Sequence, residues 1–457
     1  MQSWWKKLKQ RNKLLTIGIL SLWLIGVLFI LCGKVEIAHD ETHGWMIGSF
    51  VPIGQLFILT RWEGHFCLWF LLIRFISKIG TFPYALYFLN GFICFLVALL
   101  IWCKASFPRI IRLFALFSFP LFMGYPTYAR PYGLATLCLL LLAHYFPMRL
   151  QRPLWYVFLL FICAHTQLVG TIGAGAFGLV FAYDLIRAYQ RREIAASVFW
   201  KTVGFGLFTI ICLLAQTVGF QRPFYAPPSA IPWKRMILRT PLMAYLGCFL
   251  FLLKSKRAVF FLLFSFINLF LVYRLVYRLE LWHWLFLFVY VVAAMWIFWQ
   301  EYPKEKASIY LVILFFLASM WGYSRRYQWP LLWQDPFKNM VQTHWVMLQN
   351  AQVFTLENNG LDMLPYLYAK GIKTYNLKTG EEDYSLASLK KLYAEDTRVS
   401  YDKIIPLLAT DRPNVLLSDK ESVSYVNWQM RNSKKLHFSL YECSKIDSRV
   451  CIYFITR

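Results

Sequence analysis

Acidic residues are scarce in this chain. Its 457 residues carry 23 Asp and Glu against 48 Lys and Arg, and charged residues of all kinds make up only 16%. So little charge, beside 59% hydrophobic and 19% aromatic residues, excludes an ordinary soluble domain. No A-x-A-like cleavage site follows the first apolar run, which excludes a removed signal peptide and leaves a retained signal anchor. No internal repeat is found, which argues against the duplicated halves of many transporters.

Apolar length takes the place of charge. A helix needs about 20 apolar residues to cross a hydrocarbon core roughly 30 Å thick. About eleven such spans are expected, near residues 14–33, 84–103, 110–128, 132–148, 154–170, 172–187, 199–219, 236–253, 258–276, 283–300 and 307–324. Lys and Arg are scattered between the spans, so the formal charge of +25 reads as the positive-inside bias and not as a nucleic-acid footprint. Lys6, Lys7, Lys9, Arg11 and Lys13 place the N-terminus in the cytoplasm, and the later basic clusters fall on the same side by alternation. The stretch 154–187 is too long for one crossing, and its basic ends demand an even number; the break is expected at the glycine-rich GTIGAGAFG, residues 170–178.

An odd number of spans puts everything after residue 325 outside. That tail alternates strand-like runs (AQVFTLE, IKTYNL, NVLLSD, LHFSLYEC) with helix-like ones (LDMLPYLYAKG, LASLKKLYAED), the pattern of a small α/β domain. Within YECSKIDSRVCIYF, Cys443 and Cys451 flank a polar turn, and a disulfide there requires an oxidising compartment. The other cysteines sit mostly inside spans, as small apolar packing residues. The tail has no N-x-S/T sequon, which leans towards a bacterial periplasm. The expected fold class is therefore a polytopic α-helical membrane protein with about eleven transmembrane helices and a small external C-terminal α/β domain. Residues 1–324 form the membrane domain, 34–83 its first external loop, and 325–457 the external domain. The expected location is a bacterial inner membrane, the N-terminus cytoplasmic and the C-terminal domain periplasmic. In the first loop, FCLWFLLIRFISKIG carries Arg74 and Lys78 on an otherwise apolar face, as suits a helix lying in the outer interface.

Alternation gathers ionisable groups at the outer face. Asp40, Glu41, Glu63 and His65 come early; Arg61, Arg130, Arg222, Arg235, Arg239, Arg274 and Arg278 follow from later helix ends. Such groups are costly at membrane depth, so their convergence marks a functional site. Carboxylates beside arginines suit a base working next to an anionic leaving group, because the guanidinium fork matches phosphate oxygens. Phosphate chemistry at the outer leaflet implies a lipid-linked phosphate.

The order of an apolar anchor, HDETHGW, EGHFCLWFLLIRF, ARPYGL, further spans and an external domain resembles the GT-C superfamily of polyprenyl-phosphate-sugar glycosyltransferases, which includes protein O-mannosyltransferases and lipid A aminoarabinose transferases. The resemblance implies that Asp40 first, and Glu41 second, act at the acceptor, with Glu63 a second acid beside His65. Phe66 and Cys67 stand where the family has prolines. It also implies donor-phosphate contact for Arg130 and Tyr132, joined in this reading by Arg61, His65, Arg222, Arg278 and His283. A divalent cation stays open as a cofactor, but the matching loop near 220–235 lacks the histidine some members use. The implied partners are a polyprenyl-phosphate sugar donor, a glycan, lipid or protein acceptor, and the bilayer.

Plainer readings stand beside these. Asp40 and Glu41 at a helix start are a common cap; His39 and His43 read as interfacial bystanders; Arg222, Arg274 and Arg278 suit snorkelling to headgroups; His165 suits a buried hydrogen bond between helices. A transporter or flippase of a lipid-linked anion, or a non-catalytic lipid-binding relative, are the alternative functions.

Overall fold

The computed structural model describes residues 2–32, 39–63, 66–217, 242–275, 281–320, 336–356, 362–385, 405–418, 422–424, 436–443 and 451–456. Helix α1 (Gln2–Cys32) leads into three short helices, α2 (His39–Phe50), α3 (Ile53–Glu63) and α4 (Cys67–Ser77). The apolar bundle continues with α5 (Tyr84–Lys104) and α6 (Arg109–Leu116), then a π-helical turn, Phe119–Gly124, that runs into α7 (Tyr125–Thr127). It is completed by α8 (Tyr132–Tyr145), α9 (Pro153–Ala164), α10 (Leu168–Gln190), α11 (Ala196–Thr217), α12 (Leu242–Phe251), α13 (Lys256–Leu275), α14 (Leu281–Trp284), α15 (Phe286–Glu301) and α16 (Ile309–Met320).

Among the described residues, six helices are long and apolar enough to cross a membrane, and α6 with the Phe119–Thr127 segment makes a seventh, bent by 46°. Five shorter apolar helices accompany them, at Cys67–Ser77, Tyr132–Met148, Pro153–Ala164, Ala244–Lys254 and Ile309–Met320. At the centre lies α15, whose residues Phe286 to Trp299 are all buried, as expected of a helix apolar on every side.

Two expectations need correction. The break in 154–187 falls at His165–Gln167, before the glycines, which lie inside α10. The glycines serve close packing: a Cβ at Gly173 would stand 2.4 Å from the Leu139 side chain, so only glycine lets α8 approach this near. His165 is buried, but its Nδ1 donates to the carbonyl of Phe161 in its own helix, 2.7 Å away, and not to a neighbouring helix. The Phe161 carbonyl also accepts the His165 amide at 3.1 Å, so ring and backbone of His165 share one oxygen at the end of α9.

In the first loop, α4 buries Cys67, Trp69, Phe70 and Ile73, which packs it on α2. Gly48 makes the contact possible, since a Cβ there would meet Ile73 at 2.6 Å. Arg74 turns inward: its Nε donates to Gly48 O at 2.6 Å and its Nη2 to Val51 O, satisfying carbonyls at the end of α2.

At the far end of the bundle, Asp184 on α10 accepts from Arg149 Nη2 at 2.6 Å and from Arg257 Nη2 at 3.0 Å. Arg257 also donates to Glu301 at 3.1 Å, and Ser255 Oγ to Glu301 at 2.6 Å, so one network ties α10, α13 and α15 to the end of α8. Asp184→Ala is expected to leave the buried Arg149 uncompensated, while Arg257 keeps Glu301, and to cost on the order of 3 kcal/mol, read as a fall in the thermal midpoint of the purified protein.

After α17 (Pro336–Thr343) and α18 (Trp345–Gln349), the chain forms β1 (Gln352–Thr355), α19 (Leu364–Tyr368), β2 (Thr374–Asn376), β3 (Asn414–Ser418), β4 (His437–Cys443) and β5 (Cys451–Thr456). The sheet order is β2-β1-β3-β5-β4; β1 runs parallel to β2 and β3, and β5 is antiparallel to β3 and β4. All four expected strand runs are strands, and Cys443 and Cys451 pair across β4 and β5 and form the expected disulfide. The helix-like run 386–396 lies outside the described residues. Val353, Val415, Leu417 and Ile452 on one sheet face belong to the same hydrophobic core as the helical bundle, while Phe354, Leu416 and Tyr453 on the other face form a second core. The domain is thus packed onto the bundle.

Candidate functional site

His39, Asp40 and Glu41 open α2, and successive helical side chains point about 100° apart. The three therefore leave the helix in three directions, each towards a different partner. Asp and Glu in a first turn also sit favourably against the helix dipole.

Asp40 faces the turn that begins α8. Its Oδ2 accepts from the Tyr128 hydroxyl at 2.8 Å and lies 3.9 Å from Arg130 Nη2, while Arg130 Nη1 donates to the Asp40 backbone carbonyl. The Asp40 side chain is 55% exposed and that of Arg130 only 7%. One member of the pair is open to a ligand; the other is fixed in place. The Arg130 guanidinium holds the Asp40 carboxyl well below the usual carboxylate range; partial burial opposes this, and the Tyr128 hydrogen bond adds to it.

Glu41 points into the protein and is fully buried. Its Oε1 accepts from the Ala129 amide at 2.6 Å and its Oε2 from the Tyr87 hydroxyl at 3.0 Å. Both carboxylate oxygens are thus used to hold the 128–130 turn against α2 and α5. Gly44, one turn on, leaves room beside the guanidinium: the place a Cβ would take is 3.6 Å from Arg130 Nη1 and 3.9 Å from Trp69 Nε1.

Tyr132, the first residue of α8, is hydrogen-bonded through its hydroxyl to His283 Nε2 at 3.3 Å, so two residues expected at the donor phosphate do meet. Tyr125, Tyr132 and Tyr128 stack in a column, and Trp282 lies over Tyr128 with ring centres 4.2 Å apart. The Tyr125 hydroxyl donates to the Trp282 carbonyl at 3.3 Å, which ties α14 to α7.

The remaining candidates are placed less fully. Arg61 and Glu63 lie on α3 and Arg274 on α13, with their side chains outside the described residues; His65, Arg222, Arg235, Arg239 and Arg278 lie outside them altogether. Among the described residues no three His, Cys, Asp or Glu side chains gather as a metal site.

His39 and His43, read from sequence as bystanders, both face the C-terminal domain. His39 Nδ1 is 2.9 Å from Asp362 Oδ1, and His43 Nδ1 is 2.9 Å from the Tyr384 hydroxyl. Burial lowers the His39 pKa, but the bonded Asp362 carboxylate outweighs it and leaves the imidazole above its ordinary value.

Sequence reasoning missed Tyr128, Tyr87, Trp282 and Asp362. Tyr128 and Trp282 had a signal, since they adjoin Arg130 and His283 in the stretches singled out. Asp362 had none: it pairs with a residue 323 positions away. No protein-family model matches the chain, and no curated protein matches it in sequence.

Proposed function

We infer that the protein is an integral membrane glycosyltransferase of GT-C type that moves a sugar from a polyprenyl phosphate to an acceptor hydroxyl at the outer face of a membrane. The observation that carries this reading is the half-exposed Asp40 carboxylate paired with the buried Arg130 guanidinium at the start of an apolar helix. Counting the six long helices, the bent pair and the four shorter apolar helices other than Cys67–Ser77 as crossings gives eleven. With the N-terminus in the cytoplasm, Asp40 and the disulfide-bearing domain then share the outer side, in the periplasm of a bacterial inner membrane. The Cys443–Cys451 bridge suits that compartment.

In this mechanism the acceptor oxygen attacks the anomeric carbon as its proton passes to Asp40, and the bond from that carbon to the phosphate oxygen breaks with inversion. The electron pair leaves with the polyprenyl phosphate. Arg130 meets the charge that develops there, with Tyr132 and His283 beside it and the α8 N-terminus adding a favourable dipole. Before donor binds, Arg130 keeps Asp40 a weak base. Once the guanidinium shares its charge with phosphate, the carboxylate becomes more basic as the acceptor proton must move. Glu41 holds the turn and takes no part in proton transfer.

The absence of a repeat and the place of the carboxylate on a loop helix favour bond making over transport. Purified protein in vesicles containing a polyprenyl-phosphate sugar, with the lipid followed by mass spectrometry, separates the two. Cleavage to free polyprenyl phosphate on adding acceptor supports the reading; intact donor moved between leaflets, without cleavage, refutes it.

A further inference from the structure

We propose that the external domain acts on the membrane-domain site through a histidine clamp, in which His39 and His43 of α2 are gripped by Asp362 and Tyr384 so that docking of this domain positions Asp40. Asp362 is buried, precedes α19, and takes His39 Nδ1 at 2.9 Å. One helical turn later, His43 meets the Tyr384 hydroxyl at 2.9 Å, and the two imidazoles stack with centres 6.0 Å apart. At the other end of α2, Phe50 packs edge-on against Tyr368 of α19, with ring centres 5.2 Å apart. The external domain thus holds α2 along its whole length, and Asp40 follows His39 directly. Asp362 and Tyr384 are positioning residues: they touch α2 and not the reacting atoms.

The clamp responds to protons. The groups facing His39 are Asp362, Asp40 and Arg130, and those facing Asp362 are His39, His43 and Thr42. The docked His39 has a raised pKa, so its contribution is fully present below the undocked value of 6.5 and is lost as pH rises through the docked value. Asp362 is also raised, by burial first, with His39 and Thr42 opposing. That burial is the cost of holding the carboxylate, which the His39 bond offsets, so the pH response of the clamp follows His39: acid tightens it and alkali loosens it. Asp383, next to Tyr384, is pushed up to about 6 by burial but bonds Thr355 and Thr374 inside its own domain, so its titration is not the clamp's.

The test is hydrogen exchange of the α2 amides in the full-length protein, corrected for intrinsic rates, between about pH 6 and pH 8. Wild type should lose protection as pH rises. Asp362→Asn, which keeps Asp383, should lower protection about tenfold at the acid end, the exchange equivalent of one charge-assisted hydrogen bond, and flatten the pH response. Asp362→Glu should restore part of it, and His39→Asp combined with Asp362→His should restore more than either alone. Unchanged α2 protection in both Asp362→Asn and His39→Gln would overturn the clamp.

The catalytic consequence rests on the glycosyl-transfer reading. There, Asp362→Asn should lower kcat with KM for donor unchanged, and an unaltered kcat beside loosened α2 amides would overturn the positioning role. A wild type that transfers no sugar would defeat the glycosyl-transfer reading alone, because the exchange measurement decides the clamp without it.

Discussion

Asp40→Asn is expected to lower kcat for sugar transfer by about 10²- to 10⁴-fold, the usual contribution of a positioned general base. The amide keeps the size of the side chain and can still accept from the Tyr128 hydroxyl, which holds Asp40 at 2.8 Å. It cannot take the acceptor proton. Some thermal stability should be lost with the charge pair, and donor should bind no more weakly, since the Arg130 bond to the backbone carbonyl survives and its guanidinium no longer faces a carboxylate. Glu41→Gln should behave differently, because that residue is buried with both oxygens bonded: it should show first as lost stability and only through that as lost rate.

Arg130→Ala is expected to cost about 10²- to 10³-fold in kcat/KM, the scale of removing one preorganised donor from a developing negative charge. Its second signature is in pH. The guanidinium holds Asp40 well below the usual carboxylate range, so on the acid side wild-type activity should be lost only as pH falls through that depressed value, while any decline above neutral pH belongs to the His39 clamp. In Arg130→Ala the acid limb should move upward, towards the ordinary aspartate value near 3.9. Arg130→Lys should recover part of the charge effect and less of the rate, because an ammonium cannot form the planar fork. A pH profile that does not move in Arg130→Ala would separate the two groups and break the mechanism.

Much of the fold is legible in sequence because the forces that set it are local. The apolar runs become helices near their expected places, and alternating runs in the tail become β1 to β5, since membrane burial and sheet pleating each impress a period on the chain. What was misread depends on tertiary contact. GTIGAGAFG looks like a break, but its glycines sit in α10 where Leu139 comes close. Arg74, read as a charge on an interfacial helix, also donates to the carbonyls of Gly48 and Val51 at the end of α2, a contact its spacing does not show. Of the site, the Asp40 and Arg130 pair and the Tyr132 contact with His283 could be anticipated. The division of labour between Asp40 and Glu41 could not, because it follows from which way each residue of α2 points. The His39 bond to Asp362 joins segments 323 positions apart and leaves no trace in either.

The most direct measurement is a cryo-electron microscopy map of the protein with polyprenyl phosphate bound. Phosphate density is expected at the start of α8, within hydrogen-bond distance of the Arg130 guanidinium, with Asp40 on the side open to the acceptor and the lipid tail running along the apolar bundle. Phosphate bound elsewhere, with the Arg130 contacts to Asp40 undisturbed, would contradict it.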